Sequence, residues 1–96
     1  MIKQKVLTLL QQHREEIRGF KVKEMFVFGS LARDQITASS DIDILVKFTD
    51  PPTFDMYMDL KFFLEELLGR TIDLVTEAAL RPELKDYIKK DLIRVA

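Results

Sequence analysis

The sequence predicts an α/β domain of the α+β type, in which a small, mixed three-stranded sheet is flanked by helices. Three observations support this prediction: short apolar runs alternate with segments of helical periodicity, glycine or proline stands at most boundaries, and the chain has 96 residues. That length suffices for one compact domain and is too short for two. We therefore predict a single domain, residues 1–96, with the order helix, strand, helix, strand, helix, strand, helix.

The first half of the chain begins with an amphipathic helix. Apolar residues recur at helical spacing from about Ile2 to Ile17 and predict a helix that ends near Gly19. A short apolar run then predicts a buried first strand from about Lys23 to Phe28.

A turn with a short helix follows the first strand. Gly29 and Ser30 end the strand, and Ser30 can cap a helical turn that continues through residues 31–33. The first backbone N–H groups of such a turn have no partner within the helix. We therefore expect an anion site here, with Gly29 and Ser30 holding phosphate.

The second half of the chain contains two further strands and two helices. The second strand is predicted over Asp41–Phe48, and a helix over Thr53–Leu68 that Gly69 ends. This helix is apolar on more than one side, which leaves open whether the domain wraps it or a partner covers it. A third strand is predicted over Thr71–Val75, and Pro82 begins a last helix with apolar residues at helical spacing: Leu84, Ile88, Leu92 and Val95.

Three carboxylates are predicted to share one patch of the sheet. If the first two strands are antiparallel, the end of the first lies beside the start of the second, and Ser30 faces Asp41 and Asp43. The period of two along a strand places both carboxylates on one face. Asp73, in the third strand, reaches the same face if that strand lies beside the second.

Such a cluster predicts divalent cations, because like charges a few ångströms apart disfavour joint ionisation. Mg²⁺ bound by carboxylates and substrate phosphates is the usual arrangement in nucleotide chemistry. Two ions would fit phosphoryl or nucleotidyl transfer, with Asp41 and Asp43 as ligands. Asp73 would complete one metal shell and orient or deprotonate the attacking hydroxyl.

Each of these features also has a structural interpretation. An Asp-x-Asp pair is common on exposed strand ends, where it only stays hydrated. A lone polar residue such as Asp73 often just lies on the solvent-exposed face of its strand. Arg33, in the short helix, is either a nucleotide-binding residue or one half of a structural ion pair. The residues alone leave both roles open.

Composition and charge exclude several classes of function. A formal net charge of -1 argues against electrostatic binding of nucleic acid over a broad basic surface. The sequence has no cysteine, which excludes disulfides and thiolate metal sites and fits the cytoplasm. We expect no membrane association, since no apolar stretch has the length of a signal peptide or a transmembrane span.

The motifs together resemble those of a known family. The first motif is Gly29-Ser30-Leu31-Ala32-Arg33, and the second is Asp41-Ile42-Asp43, which ten residues separate from Ser30. The third is Asp73-Leu74-Val75. The chain resembles the minimal nucleotidyltransferase (MNT) antitoxins of the DNA polymerase beta-like nucleotidyltransferase superfamily. The likeness spans nearly the whole chain. One departure is Asp34, where the family commonly has glycine; aspartate is among the better substitutes if the backbone there is left-handed.

The resemblance implies a magnesium-dependent antitoxin that transfers AMP from ATP to a tyrosine of a helical HEPN-domain toxin, in a hetero-oligomer. By the same resemblance Asp41, Asp43 and Asp73 are the catalytic and metal-binding carboxylates, and Gly29, Ser30 and Arg33 bind the nucleotide. Two alternatives stay open. One is a catalytically idle antitoxin that neutralises its partner by binding, and the other is a nucleotidyltransferase that acts on a small molecule.

Overall fold

The computed structural model describes residues 2–96, without the side chain of Tyr87, and its centre is a mixed sheet. The strands are β1 (Val22–Phe28), β2 (Ile42–Phe48), β3 (Ile72–Thr76) and β4 (Ile93–Arg94), in the order β3-β2-β1-β4. β1 pairs with β2 and with β4 in the antiparallel sense, and β2 pairs with β3 in parallel. The predicted mixed sheet is confirmed, but it has a fourth strand that the sequence did not predict.

Five α-helices and one short 3₁₀ helix surround the sheet in the described residues. They are α1 (Ile2–Gln12), α2 (Arg14–Arg18), α3 (Gly29–Ala32), α4 (Phe54–Leu68), the 3₁₀ helix Glu77–Ala79, and α5 (Pro82–Lys89). Within residues 2–96, no helix has the length and apolar character needed to cross a membrane.

The first helix is interrupted at His13, so the prediction of one helix from Ile2 to Ile17 is wrong. The backbone of His13 has a ψ of 20°. Its Nδ1 atom lies 2.9 Å from the carbonyl oxygen of Leu9, which also accepts a hydrogen bond from the His13 backbone amide. The side chain therefore competes for the carbonyl that the regular helix uses, and α1 and α2 meet there at an irregular turn.

One face of the sheet carries the hydrophobic core. Val27, Ile44 and Leu74 stand side by side in register on β1, β2 and β3, and each is buried. They pack in one cluster with Leu60 and Leu64 of α4. Because successive side chains alternate across a sheet, the residues between them, including Asp43 and Asp73, lie on the opposite face.

α4 has the ends that its sequence predicts. The Thr53 hydroxyl accepts a hydrogen bond of 3.1 Å from the Met56 amide at the start of the helix. Gly69 ends it in a left-handed conformation, and its amide donates to the Glu65 carbonyl at 2.8 Å. The surplus of apolar residues leaves Phe54 76% and Phe62 57% exposed.

The C-terminal segment departs from the predicted helix. α5 ends at Lys89, so Leu92 and Val95 do not belong to it. The following residues return to the sheet as β4, and the Val95 amide donates to the Met25 carbonyl at 2.9 Å. The free edge of β1 offers backbone partners there, and this tertiary pairing overrides the apolar spacing that suggested a longer helix.

Candidate functional site

The structure brings the three predicted carboxylates together at the N-terminal ends of the neighbouring strands β2 and β3. Asp43 and Asp73 are register partners on β2 and β3, so they stand on adjacent strands, which lie about 4.8 Å apart. Asp41 immediately precedes β2 and lies two residues before Asp43. Asp43 is half-buried, whereas Asp41 and Asp73 are exposed.

The charges of this cluster interact. Burial raises the pKa of Asp43 above its ordinary value, and the neighbouring carboxylates of Asp73 and then Asp41 raise this pKa further. The Arg33 guanidinium acts in the opposite sense and lowers it. Asp73 and Asp41 are thus close enough to Asp43 to disfavour its ionisation, which is the condition from which the sequence predicts a cation.

Gly29 lies directly against Asp43. Its φ is +71°, in the left-handed region that side chains rarely adopt, and a Cβ built on it would stand 2.2 Å from Asp43 Oδ2. The contact follows from the register, because Phe28 pairs with Asp43 and Gly29 is the next residue. A side chain there would be strained and would displace the Asp43 carboxylate, so glycine allows the turn and the carboxylate to pack directly together.

Ser30 lies in the first turn of α3 and does not cap it. The helix begins at Gly29, and the residue at the cap position is Phe28. The predicted capping role of Ser30 is therefore wrong, because the helix starts one residue earlier. Within residues 2–96 the Ser30 hydroxyl has no hydrogen-bond partner, so it is available to a ligand together with the amides of this turn.

Arg33 forms an ion pair with Asp91, which follows α5. Its Nη1 lies 3.0 Å from Asp91 Oδ2, and its Nε donates to Gln35 Oε1 at 3.2 Å. The structural interpretation of Arg33 thus has a definite partner, while its influence on Asp43 shows that its charge also reaches the carboxylates. Its predicted contact with nucleotide stays a prediction.

Asp34 adopts the left-handed conformation that its position requires. Its φ is 60°, and it follows the last residues of α3. The Asp34 amide donates to Leu31 O at 3.0 Å and the Gln35 amide to Ser30 O at 2.7 Å, the two bonds of a Schellman helix end. The aspartate therefore keeps the backbone geometry for which glycine is the usual residue.

Two residues that the sequence did not single out border the site. The Tyr57 hydroxyl of α4 donates to the Leu74 carbonyl of β3, and burial followed by the Asp73 charge raises the pKa of Tyr57. Arg70, between α4 and β3, donates to the carbonyls of Thr37 and Ser40 in the loop that precedes Asp41. Neither residue belongs to a motif, and only the position of Arg70 directly after the helix-ending glycine could have drawn attention to it.

The donor set fits a hard divalent cation. All three side chains offer carboxylate oxygens, and a cation between them would relieve the repulsion that raises the pKa of Asp43. In the described part of the chain, no three acidic or imidazole side chains are arranged to enclose an ion by themselves. Mg²⁺ commonly binds through one or two carboxylates and completes its shell with phosphates and water, so this open arrangement suits it.

Residues 10–95 match the family model described as "Nucleotidyltransferase domain". A relative from Methanocaldococcus jannaschii, provisionally named a protein adenylyltransferase, is 40% identical over 89 residues, 91% of each chain. The protein adenylyltransferase MntA of Thermococcus cleftensis is 33% identical over 93 residues, 96% of this chain and 94% of the relative.

Solved structures share the fold. One, provisionally named a minimal nucleotidyltransferase, superposes with a TM-score of 0.75 at 34% identity and covers 91% of this chain and 93% of its own. A chain of the complex between a tri-AMPylated HEPN toxin of Shewanella oneidensis and an MNT antitoxin superposes with a TM-score of 0.68. At 20% identity, over 94% of this chain and 71% of the other, that likeness concerns the fold alone.

Proposed function

Because this chain belongs to the nucleotidyltransferase domain family, we propose that it is a protein adenylyltransferase that transfers AMP from ATP to a tyrosine of a HEPN-domain toxin. The observation that carries the proposal is the register of Asp43 with Asp73, with Asp41 two residues away and Gly29 packed against Asp43. The names of the relatives support a protein as the acceptor. The fold shared with an antitoxin complex supports the choice of partner.

The carboxylates divide the chemistry between them. Asp41 and Asp43 would hold Mg²⁺, with Asp73 as a further ligand, and the bound ions supply charge neutralisation at the triphosphate. In the transfer, the tyrosine oxygen forms a bond to the α-phosphorus of ATP, and the bond to the pyrophosphate oxygen breaks. Asp73 is exposed beside this centre and accepts the proton of the attacking hydroxyl or orients it.

The turn after β1 would hold the outer phosphates. The first amides of α3 have no partners within that helix, and the Ser30 hydroxyl is available as a donor. Because Gly29 packs against Asp43, a triphosphate bound at this turn would lie beside the cation ligands. The phosphate-binding turn and the cation-binding carboxylates would then contact the same ligand.

The partner and the compartment follow from the same proposal. The chain would act as an antitoxin in a hetero-oligomer with the toxin, in the cytoplasm, and it would silence the toxin by modifying it. Direct binding of nucleic acid by this chain is not part of the proposal, given the formal net charge of -1.

The test measures AMP on the partner. The full chain is incubated with ATP, Mg²⁺ and the product of the adjacent gene as the candidate HEPN toxin, and intact mass spectrometry follows that candidate partner. We expect AMP addition, its loss in Asp43→Asn with the complex still formed on size exclusion, and no change in the control Arg14→Met on α2. Modification of a small molecule instead, or protection of cells by Asp43→Asn without AMP on the toxin, would refute the proposal.

A further inference from the structure

The loop that leads into Asp41 is closed on itself by hydrogen bonds. The Ser40 amide donates to Thr37 O at 3.1 Å, and the Thr37 amide donates to Ser40 Oγ at 3.2 Å. The hydroxyls of the same two residues lie 2.8 Å apart. These hydrogen bonds close the turn, and Asp41 is attached directly to its last residue.

Arg70 binds this turn at both ends. A single terminal nitrogen, Nη2, donates to the carbonyl of Thr37 and, at 2.9 Å, to the carbonyl of Ser40. These are charge-assisted bonds to backbone atoms, which are stronger than neutral ones. Since Ser40 precedes Asp41, the position of Asp41 is tied to the position of the guanidinium.

Arg70 is itself held in a well-connected segment. It follows the end of α4 at Gly69 and precedes β3, and the next residue, Thr71, accepts a hydrogen bond of 3.0 Å from the Ile42 amide at the start of β2. The Ile72 amide donates to Glu65 Oε2 of α4 at 3.2 Å. The backbone on both sides of Arg70 is thus anchored to α4 and to the start of β2.

Asp41 depends on such support more than the other two carboxylates do. Asp43 is fixed by strand pairing on both sides, to Phe28 and to Asp73. Asp41 lies outside β2 and is exposed, so strand pairing does not fix its side chain. The segment that leads directly into it is the turn that Arg70 holds.

Arg70 gives this support without neutralising the carboxylate. Asp41, Glu65 and Arg70 line the same cavity of about 580 Å³, yet Arg70 forms no salt bridge with a carboxylate of residues 2–96. Its hydrogen bonds go to carbonyls, which leaves the oxygens of Asp41 for a cation. Arg33, by contrast, pairs with the carboxylate of Asp91.

We propose that Arg70 is a positioning residue that fixes the Asp41 carboxylate for binding of a divalent cation and nucleotide. The inference rests on the proposed function only for the chemistry of these ligands and needs no acceptor protein.

The test is a titration of Mn²⁺ in the presence of AMP-PNP, followed by electron paramagnetic resonance of the free ion. We expect Arg70→Met to weaken Mn²⁺ binding by about 10- to 100-fold, as the loss of an outer-shell partner does. Arg70→Lys, which keeps a donor, should lose less, and Arg14→Met on α2 should match the wild type. Amide exchange should become faster over residues 37–42 in Arg70→Met, with the fold intact by circular dichroism.

A double-mutant cycle separates positioning from a general loss of structure. If Arg70 acts through Asp41, adding Arg70→Met to Asp41→Asn should change Mn²⁺ binding by less than about twofold. Unchanged Mn²⁺ binding in Arg70→Met would overturn the inference, and so would an equal loss in both backgrounds. If Mn²⁺ binds as expected but no AMP reaches the partner, the proposed function fails and the role of Arg70 stands.

Discussion

Gly29→Ala tests the contact on which the geometry of the site depends. The substitution places a methyl group at a backbone φ of +71°, and its carbon would stand 2.2 Å from Oδ2, 3.0 Å from Cγ and 3.2 Å from Cβ of Asp43. The carboxylate can rotate away from the methyl group, but the Cβ atom is fixed to the backbone of β2. Rotation of the side chain therefore relieves only part of the strain, and it moves the carboxylate away from its place beside Asp73.

The expected loss has two parts. A left-handed backbone costs an L-residue about 1–2 kcal/mol, and overpacking against Asp43 adds about 1–3 kcal/mol to the loss of unfolding free energy. Gly69→Ala is the matched control, because Gly69 has a φ of +65° and no atom within 4 Å of the added Cβ. It carries the first cost without the second, so Gly29→Ala should be less stable than Gly69→Ala by about 1–3 kcal/mol.

Thermal unfolding by circular dichroism measures this difference, and each kcal/mol corresponds to about 4–8 °C in Tm for a domain of this size. In an Asp43→Ala background, which lacks Oδ2 and Cγ, Gly29→Ala should cost little more stability than Gly69→Ala costs the wild type. Equal melting temperatures for the two single variants would refute the reasoning. An excess that survives the removal of the Asp43 carboxylate would place its cause elsewhere.

Further predictions concern the charge of Asp43, cation binding and Asp34. Because burial and the carboxylates of Asp73 and Asp41 raise the pKa of Asp43, its charged form destabilises the native state, and the protein loses stability as pH rises through that pKa. Asp43→Asn should therefore melt at a higher temperature than the wild type at neutral pH in the presence of chelator. Equal melting temperatures at neutral pH would contradict this, and so would a difference that persists below about pH 4. Mg²⁺ at ten times its Kd should stabilise the wild type by about 1.4 kcal/mol and leave Asp43→Asn unchanged in the same melts. Asp34→Ala should lose about 1 kcal/mol of unfolding free energy in a denaturant titration while Asp34→Gly should not, because position 34 is left-handed at φ 60°; equal losses would exclude backbone strain as the cause.

Local signals in the sequence were sufficient for α4 and for the two strands that carry carboxylates. Thr53 and Gly69 define the ends of α4 through contacts within a few residues, so their effect is visible without the tertiary structure. The alternation around Asp43 and Asp73 likewise predicts which face of its own strand each carboxylate occupies. Their common face also needed the assumption that β3 lies beside β2, and the pairing of the two strands confirms it.

The features that the sequence did not predict depend on distant partners. Ile93 and Arg94 become a strand only because β1 has a free edge beside them, and a two-residue strand has no period to detect. The bond of Arg70 to the Ser40 carbonyl joins residues 30 positions apart. Its backbone acceptors have no side-chain identity, so no motif could record the contact.

The carboxylate cluster beside Gly29 is better explained by the binding of a ligand than by a contribution to the stability of the domain. Asp43 is half-buried among like charges, and the glycine beside it has a conformation and a contact that make any other residue strained. A neutral residue at position 43 would remove both the desolvation and the repulsion, so the arrangement weakens the isolated domain. A bound cation attracts each of the carboxylates, and this attraction offsets the repulsion between them. We therefore expect the stability of the domain to depend on the divalent cation. The decisive measurements are the melting temperatures with and without the cation, which should differ for the wild type and agree for Asp43→Asn.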